Sequence, residues 1–127
     1  MKVSAIVPVL SLLSVASAAQ FFIYAIKQSD SGVYQRRLDA QEAHLAHALQ
    51  LEKDGILLTG GPVLLKESLT NPNLTDKFYA SFFAVETEDI EGAWKTVTDN
   101  SYWTGNVWDK KKTTVLPYQQ YFPTGGF

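Results

Sequence analysis

Apolar and polar positions alternate along this chain in a way that divides it, after residue 18, into short strands and two helices. Residues 21–27 form a compact aromatic and β-branched block, which predicts a buried strand. Ser29-Asp30-Ser31-Gly32 breaks it, and a helix is expected over 34–54, closed by Gly55 as its C-cap. Leu38, Leu45 and Leu49, with Ala48 and Leu51 beside them, recur at helical spacing and read as its apolar face. Residues 56–65 predict a second strand bent by Gly60, Gly61 and Pro62, and 66–76 a polar loop. Residues 77–85 are aromatic on both faces, as expected of an internal strand. Thr87 is placed to cap a short helix, with Glu88 and Asp89 in its first turn and Ile90, Ala93, Trp94 and Val97 as its buried stripe. A last strand is expected over 106–116, with an irregular tail from Pro117 onwards.

The order β-α-β-β-α-β predicts an α+β, ferredoxin-like fold: a four-stranded antiparallel sheet with two helices on one face. The other face would then lack a cover. Yet Phe21, Tyr24, Phe78, Tyr79, Phe82 and Phe83 supply apolar side chains for both faces. The simplest second cover is another copy of the chain, so a homodimer with sheets face to face is expected.

The first 18 residues stand apart. Lys2 precedes an apolar run over 3–15, and Ala16-Ser17-Ala18 ends in small residues, the layout of a secretory signal peptide cut after Ala18. An uncleaved anchor is the alternative. The mature domain would be 19–127, secreted, with no later segment suited to a membrane. Asn73-Leu74-Thr75 is an N-glycosylation acceptor in keeping with that route. The chain has 127 residues, enough for one domain, and its net charge of -2 argues against a nucleic-acid partner. Lys110-Lys111-Lys112, the basic run, reads as a solvated strand end. Absence of cysteine removes disulfides, thiol nucleophiles and thiolate metal sites.

Candidate chemistry concentrates on the first helix, which carries both histidines of the chain, His44 and His47. Arg37, Gln41, His44, Ala48 and Leu51 share one stripe, odd for a core face but reasonable for a pocket wall. His44 and His47 are helix neighbours, but no third ligand is signalled, so neither a metal nor a cofactor is expected. An exposed His47 on a polar shoulder is the ordinary reading. Trp94 reads as core, whereas Trp103 and Trp108, near Tyr102, either pack the core or line a pocket mouth. Gly60-Gly61-Pro62 lacks the lysine and the context of a phosphate loop.

Three segments in order resemble the YCII-related (YciI-like) family. They are Phe22-Ile23-Tyr24-Ala25; Arg37 followed by His44-Leu45-Ala46-His47, Gly55 and Gly61-Pro62; and Asp99-Asn100-Ser101-Tyr102 with Gly105. The resemblance covers about residues 20–122 and implies a dimeric α+β barrel. It also implies an active site of a histidine and an aspartate, which fall on His44 and Asp99, with Arg37 matching a recurrent helix arginine. Two positions depart from the pattern: Gln41 stands where a second arginine is frequent, and Asn100 where a proline is common. Asp99 would hydrogen-bond one ring nitrogen of His44 and make the other a general base. The function expected is cofactor-independent proton transfer (isomerase, lyase or cyclase type) on a small oxygenated cyclic substrate, with Arg37 stabilising negative charge. The alternatives are a secreted, non-catalytic module that binds a small ligand in the same cavity, and a purely structural protein.

Overall fold

The computed structural model describes residues 18–71 and 77–121. All of the expected leader except Ala18, and the glycan acceptor Asn73, lie outside the described residues. The elements follow in the order β1 (Ala19–Lys27), α1 (Val33–Lys53), β2 (Leu57–Leu64), a 3-10 turn (Lys66–Leu69), β3 (Phe78–Thr87), α2 (Ile90–Thr98), α3 (Ser101–Thr104) and β4 (Trp108–Tyr118). The strands form one antiparallel sheet in the order β2-β3-β1-β4, the ferredoxin-like arrangement. No helix among the described residues is long and apolar enough to cross a membrane.

Strand alternation sorts the sheet into two faces. Phe21 faces Val85 and Ile23 faces Phe83 across the β1–β3 ladder, and all four are buried. They join Ala93 and Val97 of α2, together with Val107, Trp108 and Val115, in one core. Phe22, Tyr24 and Leu116 belong to the opposite face. There the Phe22 and Phe82 rings lie 6.2 Å apart, and Leu116 is 52% exposed.

Several local expectations change. α1 ends one residue early: Asp54 is its C-cap, and Gly55 follows at φ 77°, donating to the Glu52 carbonyl while Ile56 donates to that of Leu51. That is a Schellman ending, which requires a left-handed residue just after the cap. Asp89, not Thr87, caps α2: its Oδ1 accepts from the Gly92 N–H at 2.9 Å, while the Thr87 hydroxyl donates to the Asp89 carbonyl. Pro117 and Tyr118 extend β4 rather than beginning a tail, and a short α3 appears where no helix was expected.

The largest difference concerns α1. Leu38, Leu45 and Leu49 are exposed rather than buried, Leu49 at 65%, with Leu45 at the edge of the cavity that α1 walls. Val33 is buried, and the half-buried row that follows it includes Arg37, Ala40, His44, Ala48 and Leu51. The inward face is polar because it walls a cavity, where buried polar groups find partners, rather than sealing a hydrocarbon core.

Candidate functional site

Docking of α3 against α1 builds the centre of the site. The Ser101 hydroxyl donates to the Ala40 carbonyl at 2.8 Å, tying the two helices together. Gly105 permits the close turn that follows, since a Cβ there would fall 2.6 Å from the Ser101 carbonyl oxygen. Asn100, the N-cap of α3, is thereby buried beneath α1, and its Oδ1 accepts from the Tyr102 N–H at 2.9 Å.

The same Oδ1 lies 2.9 Å from His44 Nδ1, and Asn100 Nδ2 lies 3.3 Å from His47 Nδ1. A backbone N–H can only donate, so the contact with Tyr102 identifies the oxygen of the Asn100 amide. His44 Nδ1 must then carry a proton, which leaves the lone pair of the neutral ring on Nε2. His47 Nδ1, facing the amide nitrogen, accepts. His47 is therefore a half-buried member of the network, not an exposed shoulder residue.

Aromatic packing fixes the His44 ring. Tyr102 stacks on it with centroids 3.8 Å apart and planes 2° from parallel. Trp108 meets it edge-on at 6.0 Å and is itself held by its Nε1, which donates to the buried Ser81 hydroxyl at 3.1 Å. Trp108 is completely buried, so of its two expected roles it takes the core one, as the back support of the site. Trp103 instead pairs with Trp94 at 6.3 Å and receives Lys110 over its ring.

Burial pushes the His44 pKa below its ordinary value. The Asn100 hydrogen bond opposes that shift, and the neighbouring His47 and Arg37 charges add to it. The imidazole is accordingly neutral at neutral pH. Burial raises the Tyr102 phenol, while the charge of Arg37 and its hydrogen bond pull the other way. The Arg37 guanidinium also lies over the Phe78 ring, 4.4 Å from its centroid.

These groups open onto a cavity of about 260 Å³ between α1 and the β2–β3 hairpin. Arg37, Gln41, His44, Ala48 and Leu51 all line it, with Asn100 and Tyr102 at the base. Gly60 and Pro62 provide the β2 wall. A Cβ on Gly60 would sit 2.7 Å from the Phe83 Cβ, so the hairpin closes to this distance only with glycine there.

Asp99 is absent from this constellation. It ends α2 with its side chain half exposed, and its Oδ2 lies 2.6 Å from Lys95 Nζ. Adjacent residues at a helix end point in different directions, and Asn100, not Asp99, turns toward His44. The Asx turn of Asn100, which accepts from the Tyr102 N–H, opens α3, a helix that the sequence did not predict. Among the described residues no group of three histidines or carboxylates is placed to hold a metal ion.

The fold and the histidine-lined cavity define a ferredoxin-like α+β protein with a site under its first helix. The YCII-related domain model matches residues 19–115, and the chain belongs to that family. None of the curated proteins compared with it matches. Among solved structures it is similar to the 5-chloro-2-hydroxyhydroquinone dehydrochlorinase TftG of Burkholderia phenoliruptrix AC1100, in complex with 2,5-dihydroxybenzoquinone. That match has a TM-score of 0.64 and 22% identity, covering 85% of this chain and 99% of the other. It is also similar, at a TM-score of 0.46 and 8% identity, to a dimeric ferredoxin-like protein of unknown function from Jannaschia sp. CCS1. There the match covers 80% of this chain and 98% of the other.

Proposed function

We propose that this protein is a cofactor-independent proton-transfer enzyme, acting by elimination or isomerisation on a small oxygenated cyclic substrate. The observation that carries the reading is the Asn100 amide, whose oxygen assigns the Nδ1 proton of His44 and leaves Nε2 as the base. A neutral imidazole in a largely apolar cavity can take a carbon-bound or hydroxyl proton without first losing one of its own. Arg37, on the same wall, would offset the negative charge that develops on a substrate oxygen. In this reading Asn100 orients His44, and Asp99 has no part.

A dehydrochlorinase with a quinone ligand shares the fold, which supports a flat oxygenated ring as the occupant. The apolar face with Phe22, Tyr24 and Leu116, which no element among the described residues covers, supports a homodimer through the sheets. The leader and Asn73 support secretion as a glycoprotein. One observation favours the alternative, a non-catalytic binding module. An amide gives less support to an imidazolium than a carboxylate would.

Proton exchange into solvent deuterium, followed by NMR on a cyclic hydroxyketone and a chlorinated hydroquinone, tests the enzyme reading. Exchange or chloride release should be faster with the wild type than with His44→Gln. Equal rates in the two proteins sink it, and retained ring binding by His44→Gln then favours the module.

A further inference from the structure

His44 and His47 are neighbours on one face of α1, and the N-cap of α3 inserts the Asn100 amide between them. Asn100 is buried, at 4% exposure, so both ends of its amide need partners inside the protein. The oxygen has two, His44 Nδ1 and the Tyr102 backbone nitrogen, each 2.9 Å away. The nitrogen meets His47 Nδ1 at 3.3 Å. A neutral imidazole carries one donor and one acceptor, so either ring can present a proton or a lone pair at Nδ1. Asn100 sorts them in opposite senses: His44 presents the proton and His47 the lone pair. Turning the amide over would set its NH2 group against the Tyr102 N–H and exchange both tautomers.

We infer that His47 is a positioning residue for His44, acting through Asn100 as the outer member of a three-group relay. The inference deepens the proton-transfer reading and rests on it for what the relay serves. When His44 Nε2 takes a proton, its Nδ1–H becomes a stronger donor and draws charge onto the amide oxygen. The amide nitrogen becomes correspondingly more positive, and the His47 lone pair holds its hydrogen more strongly. Hydrogen bonds in such a chain polarise one another, by about 10–30% per bond. The relay thereby returns part of the support that an amide alone withholds from an imidazolium. Only a neutral His47 can do this, since an imidazolium has no lone pair to offer. A charged His47 acts the other way and, like Arg37, makes His44 less basic. Of the elements packed on α1, β2 carries no titratable side chain and α3 carries the Tyr102 phenol. Asp99 and Lys95 of α2 are paired with each other.

Two substitutions separate the relay from the charge. His47→Asn and His47→Leu both remove the titrating ring, but the asparagine oxygen can replace imidazole Nδ1 as an acceptor, and leucine, of similar size, cannot. Long-range proton–nitrogen NMR of the folded protein, with both rings neutral, reads the two tautomers. A pH titration then reads the basicity of His44. The wild type should show His44 protonated at Nδ1 and His47 at Nε2. His44 should be about two- to three-fold more basic in His47→Asn than in His47→Leu, a gain of the size that polarisation across one bond gives. His47→Ala removes the same acceptor if His47→Leu does not fold. A wild-type His47 protonated at Nδ1, or equal basicity of His44 in the two variants, overturns the inference. Absence of solvent-deuterium exchange in the wild type, with tautomers and basicity as expected, sinks the proton-transfer reading and supports the relay. Exchange with His47 protonated at Nδ1 does the reverse.

Discussion

Asn100 Oδ1 lies 2.9 Å from His44 Nδ1, in the place where a carboxylate was expected. An amide oxygen fixes a tautomer as well as a carboxylate does, but it adds no negative charge beside the ring. Asn100→Asp supplies that charge without changing the shape of the side chain. NMR titration should show the His44 pKa rising in Asn100→Asp and staying put in Asp99→Asn, whose carboxylate serves Lys95. A shift of His44 in Asp99→Asn would restore the aspartate to the site.

Burial of neutral His44 makes stability depend on pH in a fixed direction. Its folded pKa lies below the ordinary 6.5, so between the two values the unfolded chain binds the extra proton. The stabilisation tied to the neutral ring is complete above pH 6.5 and is lost as pH falls through the folded pKa. Urea midpoints measured from about pH 7.5 down to about pH 5 should fall in the wild type. They should fall less steeply in His44→Gln, where no imidazole titrates at that position. Parallel profiles would show that His44 carries no part of the dependence.

Truncating Asn100 tests its structural share. Asn100→Ala removes the α3 cap, worth roughly 1 kcal/mol. It also leaves the donors of His44 and the Tyr102 backbone short of an acceptor, at about 1–3 kcal/mol for a buried orphan. Chemical denaturation should therefore register a loss of about 2–4 kcal/mol. A change below about 0.5 kcal/mol, the range of ordinary surface substitutions, would mean that the amide is not an anchor.

What was legible in the chain follows the range of the signals. Strand and helix order came through because the aromatic and β-branched block at 21–27 and the helix stop at Gly55 are local signals, even though the cap of α2 is Asp89 and not Thr87. The inward row of Arg37, Gln41 and His44 was visible as a stripe, but the leucines at 38, 45 and 49 compete with it for the core. Hydrophobicity alone awards the core to the leucines. The choice between Asp99 and Asn100 lay beyond local reading, since it turns on α3, a four-residue helix too short to show a period. Tyr102 and Trp108 meet His44 only after β4 is placed, so their role depends on tertiary contact.

The β2 wall separates two adjacent glycines. Gly60 opposes Phe83, and an added Cβ would meet the Phe83 Cβ at 2.7 Å, whereas nothing lies within 4 Å of one on Gly61. Gly60→Ala must push the hairpin away from β3, a forced backbone shift of about 1–3 kcal/mol. Gly61→Ala should stay within about 0.5 kcal/mol of wild type, as an open site allows. Thermal unfolding of the two single variants separates them. Equal effects would contradict the close approach at Gly60.

The exposed leucines of α1 give the sharpest contrast with a purely hydrophobic reading. If Leu49 belonged to the core, replacing it with a polar residue would cost several kcal/mol. At 65% exposure, Leu49→Gln should instead move stability by less than about 0.5 kcal/mol. Val97, on the buried face of α2 and completely inaccessible, provides the reference: Val97→Ala should cost about 2 kcal/mol through lost burial and the cavity left behind. Denaturant midpoints of the two variants, measured at low and high protein concentration, make the comparison complete. A large, concentration-dependent loss in Leu49→Gln would show that this face of α1 is covered by another chain. A large loss independent of concentration would show that α1 sits on the sheet through its leucines, and that the polar wall around His44 is turned elsewhere.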